Sequence, residues 1–127
     1  AVPVSDRTPA MPVEFYHQLP VNLYHIRLPV YFYTLCLYKE NIFLQIDFQA
    51  DQAELYLNGE KIADQYFIGD AWEVSLKRFD FPTELILRLY PLEEDDKIYL
   101  ETQPDYVNGR CCSLKDIRCV YEYKEKL

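Results

Sequence analysis

Hydrophobic and polar residues alternate along this chain with a period of two, most clearly between Ala53 and Pro91. Ala53, Leu55 and Leu57 alternate with Glu54, Tyr56 and Asn58, which is the pattern of a strand with one buried face. Asn58-Gly59 follows at once. Both residue types tolerate positive φ, so the dipeptide marks a tight hairpin and predicts that Lys61 to Phe67 returns antiparallel. Gly69-Asp70 predicts a second turn. Trp72, Val74 and Leu76 then alternate with Glu73, Ser75 and Lys77. After Asp80, Phe81 and Pro82, the apolar series Leu85, Leu87 and Leu89 alternates with Ile86, Arg88 and Tyr90.

The flanks extend the same reading. Residues 1–20 contain Pro3, Pro9, Pro12 and Pro20, a density that predicts an extended entry linker. Within it Val13, Phe15 and Tyr16 fit a short edge strand. Residues 21–127 read as the β domain itself. Val21 to Leu28 and Val30 to Tyr38 are rich in β-branched and aromatic residues and are split by Pro29, which cannot donate to a ladder and so marks an edge, bulge or corner. Ile42, Leu44, Ile46 and Phe48 form a clear strand pattern. Glu93 to Asp96 reads as an acidic loop, Lys97 to Glu101 as a brief strand and Gln103 to Arg110 as a loop. Ile117, Cys119, Tyr121 and Tyr123 mark a last strand before a charged tail, Lys124 to Leu127. No amphipathic helix or internal repeat is evident. Seven to nine short strands joined by polar turns predict an all-β antiparallel fold, a sandwich or jelly roll.

Composition narrows the partners. The 127 residues suit one domain. The formal net charge is −8, from 13 basic and 21 acidic residues. Such a surface repels phosphate backbones and anionic membranes, so neither nucleic acid nor membrane is expected as a partner. No apolar run reaches the roughly 20 residues that span a bilayer. Residue 1 is Ala and the only Met is Met11, so the chain is expected to be a piece of a longer protein or a processed product. The cysteines are Cys36, Cys111, Cys112 and Cys119. No Cys-x-x-Cys pair supports zinc or redox chemistry. Cys36 and Cys119 lie in strand patterns and read as small core residues, a usage that fits a reducing cytoplasm slightly better than secretion.

Candidate chemistry is sparse. His17 and His25 carry no nucleophile elbow beside them and no metal-ligand spacing, and His25 reads as a packed or edge residue. Glu93-Glu94-Asp95-Asp96 offers oxygen ligands but lacks the alternating acidic loop that wraps calcium, so it reads as a solvated loop. No catalytic residue, metal or cofactor is expected. Sugar recognition needs a flat aromatic against C–H faces and a few polar groups to fix hydroxyls. The densest such set in sequence is Tyr66, Phe67, Asp70 and Trp72, with Lys77 and Arg78 nearby. Against this, Trp72 is in phase with Val74 and Leu76, which points it toward a core or a partner domain.

The segments Glu54 to Gly59, Ile62 to Asp64, Gly69 to Trp72 and Ser75 to Phe79 together resemble the galactose-binding-like jelly-roll domains attached to bacterial β-galactosidases, in particular the C-terminal accessory domain of family 35 glycoside hydrolases. The resemblance covers about 40 residues and rests on turns and core positions. It implies a galactose-binding-like jelly roll that packs on the catalytic domain of a parent glycoside hydrolase and contacts carbohydrate. It implies no catalysis in this chain, because the family's catalytic glutamates lie in a barrel that would itself exceed this length. An independent carbohydrate-binding module and a ligand-free structural or protein-interaction sandwich are the alternatives.

Overall fold

The computed structural model describes residues 3–30, 33, 39–93 and 106–126. It forms two antiparallel five-stranded sheets that share one hydrophobic core. The strands in chain order are β1 (Pro3–Arg7), β2 (Met11–Pro12), β3 (Glu14–Gln18), β4 (Leu23–Arg27), β5 (Lys39–Gln49), β6 (Gln52–Leu57), β7 (Glu60–Tyr66), β8 (Trp72–Ser75), β9 (Glu84–Tyr90), β10 (Leu92–Glu93), β11 (Arg110–Cys111) and β12 (Ser113–Lys126). One sheet has the order β1-β12-β5-β8, with β2 also paired to β12. The other has the order β3-β4-β9-β6-β7, and β10 and β11 form a small two-stranded ladder. The expected all-β antiparallel sandwich is therefore the architecture observed.

The alternation explains the layers. Ile42, Leu44, Ile46 and Phe48 of β5, with Ile117, Cys119 and Tyr121 of β12, are buried from one sheet. Leu55 of β6, Leu85, Leu87 and Leu89 of β9 and Tyr24 and Ile26 of β4 meet them from the other. Burying an aliphatic side chain of this size is worth about 1.5–3 kcal/mol each, so these inner faces hold the two sheets together.

The hairpin predicted at Asn58-Gly59 is present. Asn58 and Gly59 have φ of 51° and 81°, and β6 and β7 pair with Leu57 opposite Glu60. Two successive left-handed residues give the turn whose twist matches the strands it joins. Asn108-Gly109 does the same at Val107 and Arg110, with φ of 54° and 73°.

Several boundaries differ from the sequence pattern. The strand that starts at Trp72 stops at Ser75, and Leu76–Phe79 winds into a 3₁₀ turn. Asn41 anchors that turn: its side-chain oxygen accepts the backbone N–H of Lys77 at 3.3 Å, and its amide donates to Ser75 Oγ at 2.8 Å. Lys124 to Lys126 is not a free tail, because it continues β12 and pairs with Ser5 to Pro3 of β1. Residues 3–18, the segment read as an entry linker, supply β1, β2 and β3. The expected strand at Lys97 to Glu101, most of Val30 to Tyr38 and Cys36 lie outside the described residues.

A polar bridge ties β1 to the far edge of its sheet. Arg7 donates to both carboxylate oxygens of Glu73 on β8, at 3.0 and 2.9 Å, and also reaches Glu122 of β12 at 3.4 Å. Its guanidinium lies 4.5 Å from the ring centre of Phe43, which keeps the fork in place between the two acids. Both members of the pair are more than a third exposed, so it orients the strands more than it stabilises them.

Candidate functional site

The outward face of the β3-β4-β9-β6-β7 sheet gathers most of the unusual polar chemistry. Cross-strand partners share a face. Gln52 of β6 is opposite Tyr66 of β7 on one side and Tyr90 of β9 on the other. Glu54 is opposite Asp64 and Arg88, and Arg88 is in turn opposite Leu23 of β4. Tyr56 is opposite Lys61 and Ile86. Two rungs therefore carry tyrosines and the rung between them carries charges.

Glu54 is the centre of this arrangement. Its place in the alternation predicts an exposed residue, yet among the described residues it is the one charged side chain that is buried, at 8% exposure. Tyr90 donates its hydroxyl to Glu54 Oε1 at 2.6 Å, and Tyr56 donates to the same oxygen at 2.7 Å. Lys61 Nζ lies 3.6 Å from the other oxygen and 3.2 Å from Asp64. Buried carboxylates need such partners. The hydroxyls of Tyr90 and then Tyr56 hold the Glu54 carboxyl below its ordinary value, against the opposing effect of burial, and Lys61 adds to them. The same contact pushes the Tyr90 phenol up to about 12.

Tyr90 also faces a cation. The Arg88 guanidinium carbon sits 4.8 Å from the centre of the Tyr90 ring. With its hydroxyl fixed by Glu54 and its ring under Arg88, Tyr90 is held from two sides. Beside it opens a cleft of about 460 Å³ lined by Val21, Asn22, Leu23, Arg88, Leu89, Tyr90 and Pro91. That lies within the roughly 300–1,000 Å³ of small-molecule sites. The cleft exists because β4 begins at Leu23, and the chain before it turns off the sheet while Asn22 O still accepts the Leu89 N–H at 3.0 Å.

The residues singled out in sequence are dispersed by the fold. Tyr66 stands on the outward face at 63% exposure. Phe67 is half-buried and meets Phe48 edge-on at 6.5 Å. Trp72 is in the core at 7% exposure, also edge-on to Phe48, at 6.4 Å. Asp70 is exposed in the bend after Gly69. Lys77 and Arg78 are exposed on the 3₁₀ turn, past the far end of β8. The four residue steps from Trp72 to Leu76 cover roughly 13 Å at about 3.3 Å per residue. Phe48 thus unites Phe67 and Trp72 in the core, whereas Tyr66 joins the Gln52–Tyr90 rung and Lys77 and Arg78 stand apart.

The other candidates have structural surroundings. His17 stacks on Tyr24 at 4.3 Å, and its Nε2 lies 3.0 Å from Val21 O. His25 Nε2 is 3.7 Å from Glu84. Glu93 pairs with Arg110 at 2.8 Å, and residues 94–96 of the acidic run lie outside the described residues. Among the described residues no cluster of three or more His, Cys, Asp and Glu side chains is placed to hold a metal ion. Cys111, Cys112 and Cys119 form no disulfide with one another.

Sequence reasoning missed Glu54, Tyr90 and Arg88 as a group. The signal available was a pair of polar alternating positions on each of two strands, but nothing local says that those strands are neighbours. Comparison of the chain with family models, with curated proteins and with solved structures finds no match.

Proposed function

We propose that this chain is a non-catalytic accessory domain of a glycoside hydrolase of the β-galactosidase type, a galactose-binding-like jelly roll that packs on the catalytic domain and contacts glycan. The contact surface is the Tyr66–Gln52–Tyr90 rung together with the cleft beside Tyr90. The observation that carries the reading is that the Tyr66–Gln52–Tyr90 rung ends at a cleft of about 460 Å³ lined by Tyr90, Arg88 and Asn22. Tyrosine rings cover the C–H faces of a sugar, and the amide and guanidinium satisfy its hydroxyls.

Two further features support the reading, one against catalysis and one for packing on a partner. A general acid for glycoside cleavage needs a raised pKa and a second carboxylate across the scissile bond. Glu54 is held in the opposite direction, and its neighbour Asp64 is tied to Lys61. Packing on a larger partner is favoured by exposed apolar side chains at the same end of the sheet, with Leu19 at 78% and Val21 at 50% on the β3–β4 turn and Ile68 at 51% after β7.

The test is titration of the folded chain with a panel of galactosides, other monosaccharides and plant oligosaccharides, followed by Tyr66→Ala and Tyr90→Phe. Saturable binding that Tyr66→Ala weakens without unfolding the domain is the expected result. Absence of binding across the panel overturns the glycan-contact reading.

A further inference from the structure

The cleft beside Tyr90 contains an arginine, Arg88, that no carboxylate among the described residues neutralises. Carboxylates outnumber cations 21 to 13 in this chain. Four basic side chains pair with one: Lys61 with Asp64, Arg110 with Glu93, Arg118 with Asp116 and Arg7 with Glu73. Arg88 sits directly across from Glu54 in the register, yet among the described residues no carboxylate comes within ion-pair distance of it. The reason is visible in the site. The oxygens of Glu54 are turned to Tyr90, Tyr56 and Lys61, so the acid across the register is already committed. Arg88 instead lies on the Tyr90 ring, which is pinned by that same acid.

A guanidinium held over an aromatic ring, with no carboxylate on it, has its planar fork available to a ligand. The fork matches a carboxylate, with two parallel N–H···O bonds. The cleft it lines supplies Asn22 as a further polar group and Val21, Leu23 and Pro91 as apolar walls. The protein's own charge of −8 penalises a doubly charged anion more than a singly charged one. We infer that the cleft takes the carboxylate of an acidic sugar, a uronate, with Arg88 as its anchor. The inference rests on the glycan-contact reading and adds to it the chemical class of the sugar.

The experiment is a titration followed by NMR, with methyl galacturonide and methyl galactoside as a matched pair. They differ in a carboxylate against a hydroxymethyl group on the same ring. A galactose phosphate ester is the third ligand. The expected result is about tenfold tighter binding of the uronide than of the neutral sugar, a margin that shrinks with added salt. Arg88→Gln removes the margin while the melting temperature holds, and Arg88→Lys restores only part of it, because lysine keeps the charge and loses the fork. Equal or tighter binding of the neutral galactoside overturns the inference and leaves the glycan-contact reading standing. So does tighter binding of the phosphate ester, or a preference that survives Arg88→Gln. Failure of every sugar, acidic or neutral, overturns both.

Discussion

The hydroxyl of Tyr90 donates to Glu54 across adjacent strands at 2.6 Å, and these two residues lie 36 positions apart in the chain. One hydrogen bond therefore joins the one buried charge among the described residues to the lip of the cleft. It makes the site's geometry depend on the ionisation of a single carboxylate.

That dependence has a sign. The Glu54 carboxyl is held below its ordinary value, so its ionised form is favoured by folding. Its contribution to stability is fully present above the ordinary carboxylate value near 4.5 and is lost as pH falls through the lowered folded value. Chemical denaturation of the wild type and of Glu54→Gln between pH 7 and pH 3, a range set by that titration, measures it. The substitution is expected to cost about 1–2 kcal/mol at neutral pH, where a charge-assisted acceptor is exchanged for a neutral one, and the gap closes in acid. A gap that stays constant with pH would show that the carboxylate is not the cause.

The same contact appears from the other partner at high pH. The Tyr90 phenol is raised to about 12, chiefly because a phenolate there would lose its bond to Glu54. A folded value raised in this way stabilises the protein fully below the ordinary phenol value and loses that effect as pH rises toward 12. Spectrophotometric titration should show a late component near 12 that disappears in Tyr90→Phe and shifts down in Glu54→Gln, whereas Tyr24, raised by burial, is unaffected by either change.

Trp72 and Tyr66 separate packing from recognition. Trp72 fills the core beside Phe48, so Trp72→Ala is expected to cost about 3–5 kcal/mol. Tyr66 is 63% exposed, so Tyr66→Ala stays within about 0.5 kcal/mol in stability. Paired melting curves and glycan titrations test this. The reverse ranking in stability would mean that Trp72 does not occupy the core.

Gly59 isolates a backbone effect. A Cβ added there meets nothing within 4 Å, but the residue has φ of 81°. Gly59→Ala is therefore expected to destabilise the domain by about 1 kcal/mol through conformation alone. Gly59→Asn should recover part of that loss, because asparagine tolerates the left-handed region better than alanine. Urea midpoints of the two variants decide it.

Local patterns alone determine much of this protein. The period of two in β5, β6, β9 and β12 predicts which side chains face the shared core, since alternate residues of a strand point to one side of its sheet. The Asn58-Gly59 hairpin is equally local, because its two residues carry their own left-handed preference. The alternation also points Trp72 inward, whatever strand it pairs with.

The tertiary structure decided the rest, because period says which face a residue occupies and nothing about the neighbouring strand. The four strands between Ala53 and Pro91 are consecutive in sequence but divided between sheets: β8 pairs with β5, while β9 inserts between β4 and β6. That division sends Trp72 to one sheet and Tyr66 to the other, so residues adjacent in the chain do not form one site. It also brings Tyr90 and Arg88 beside Glu54. A glutamate in a polar phase reads as exposed until a second strand places a tyrosine over it. Its burial is a property of the pairing, and so is the cleft that the pairing leaves open at Leu23.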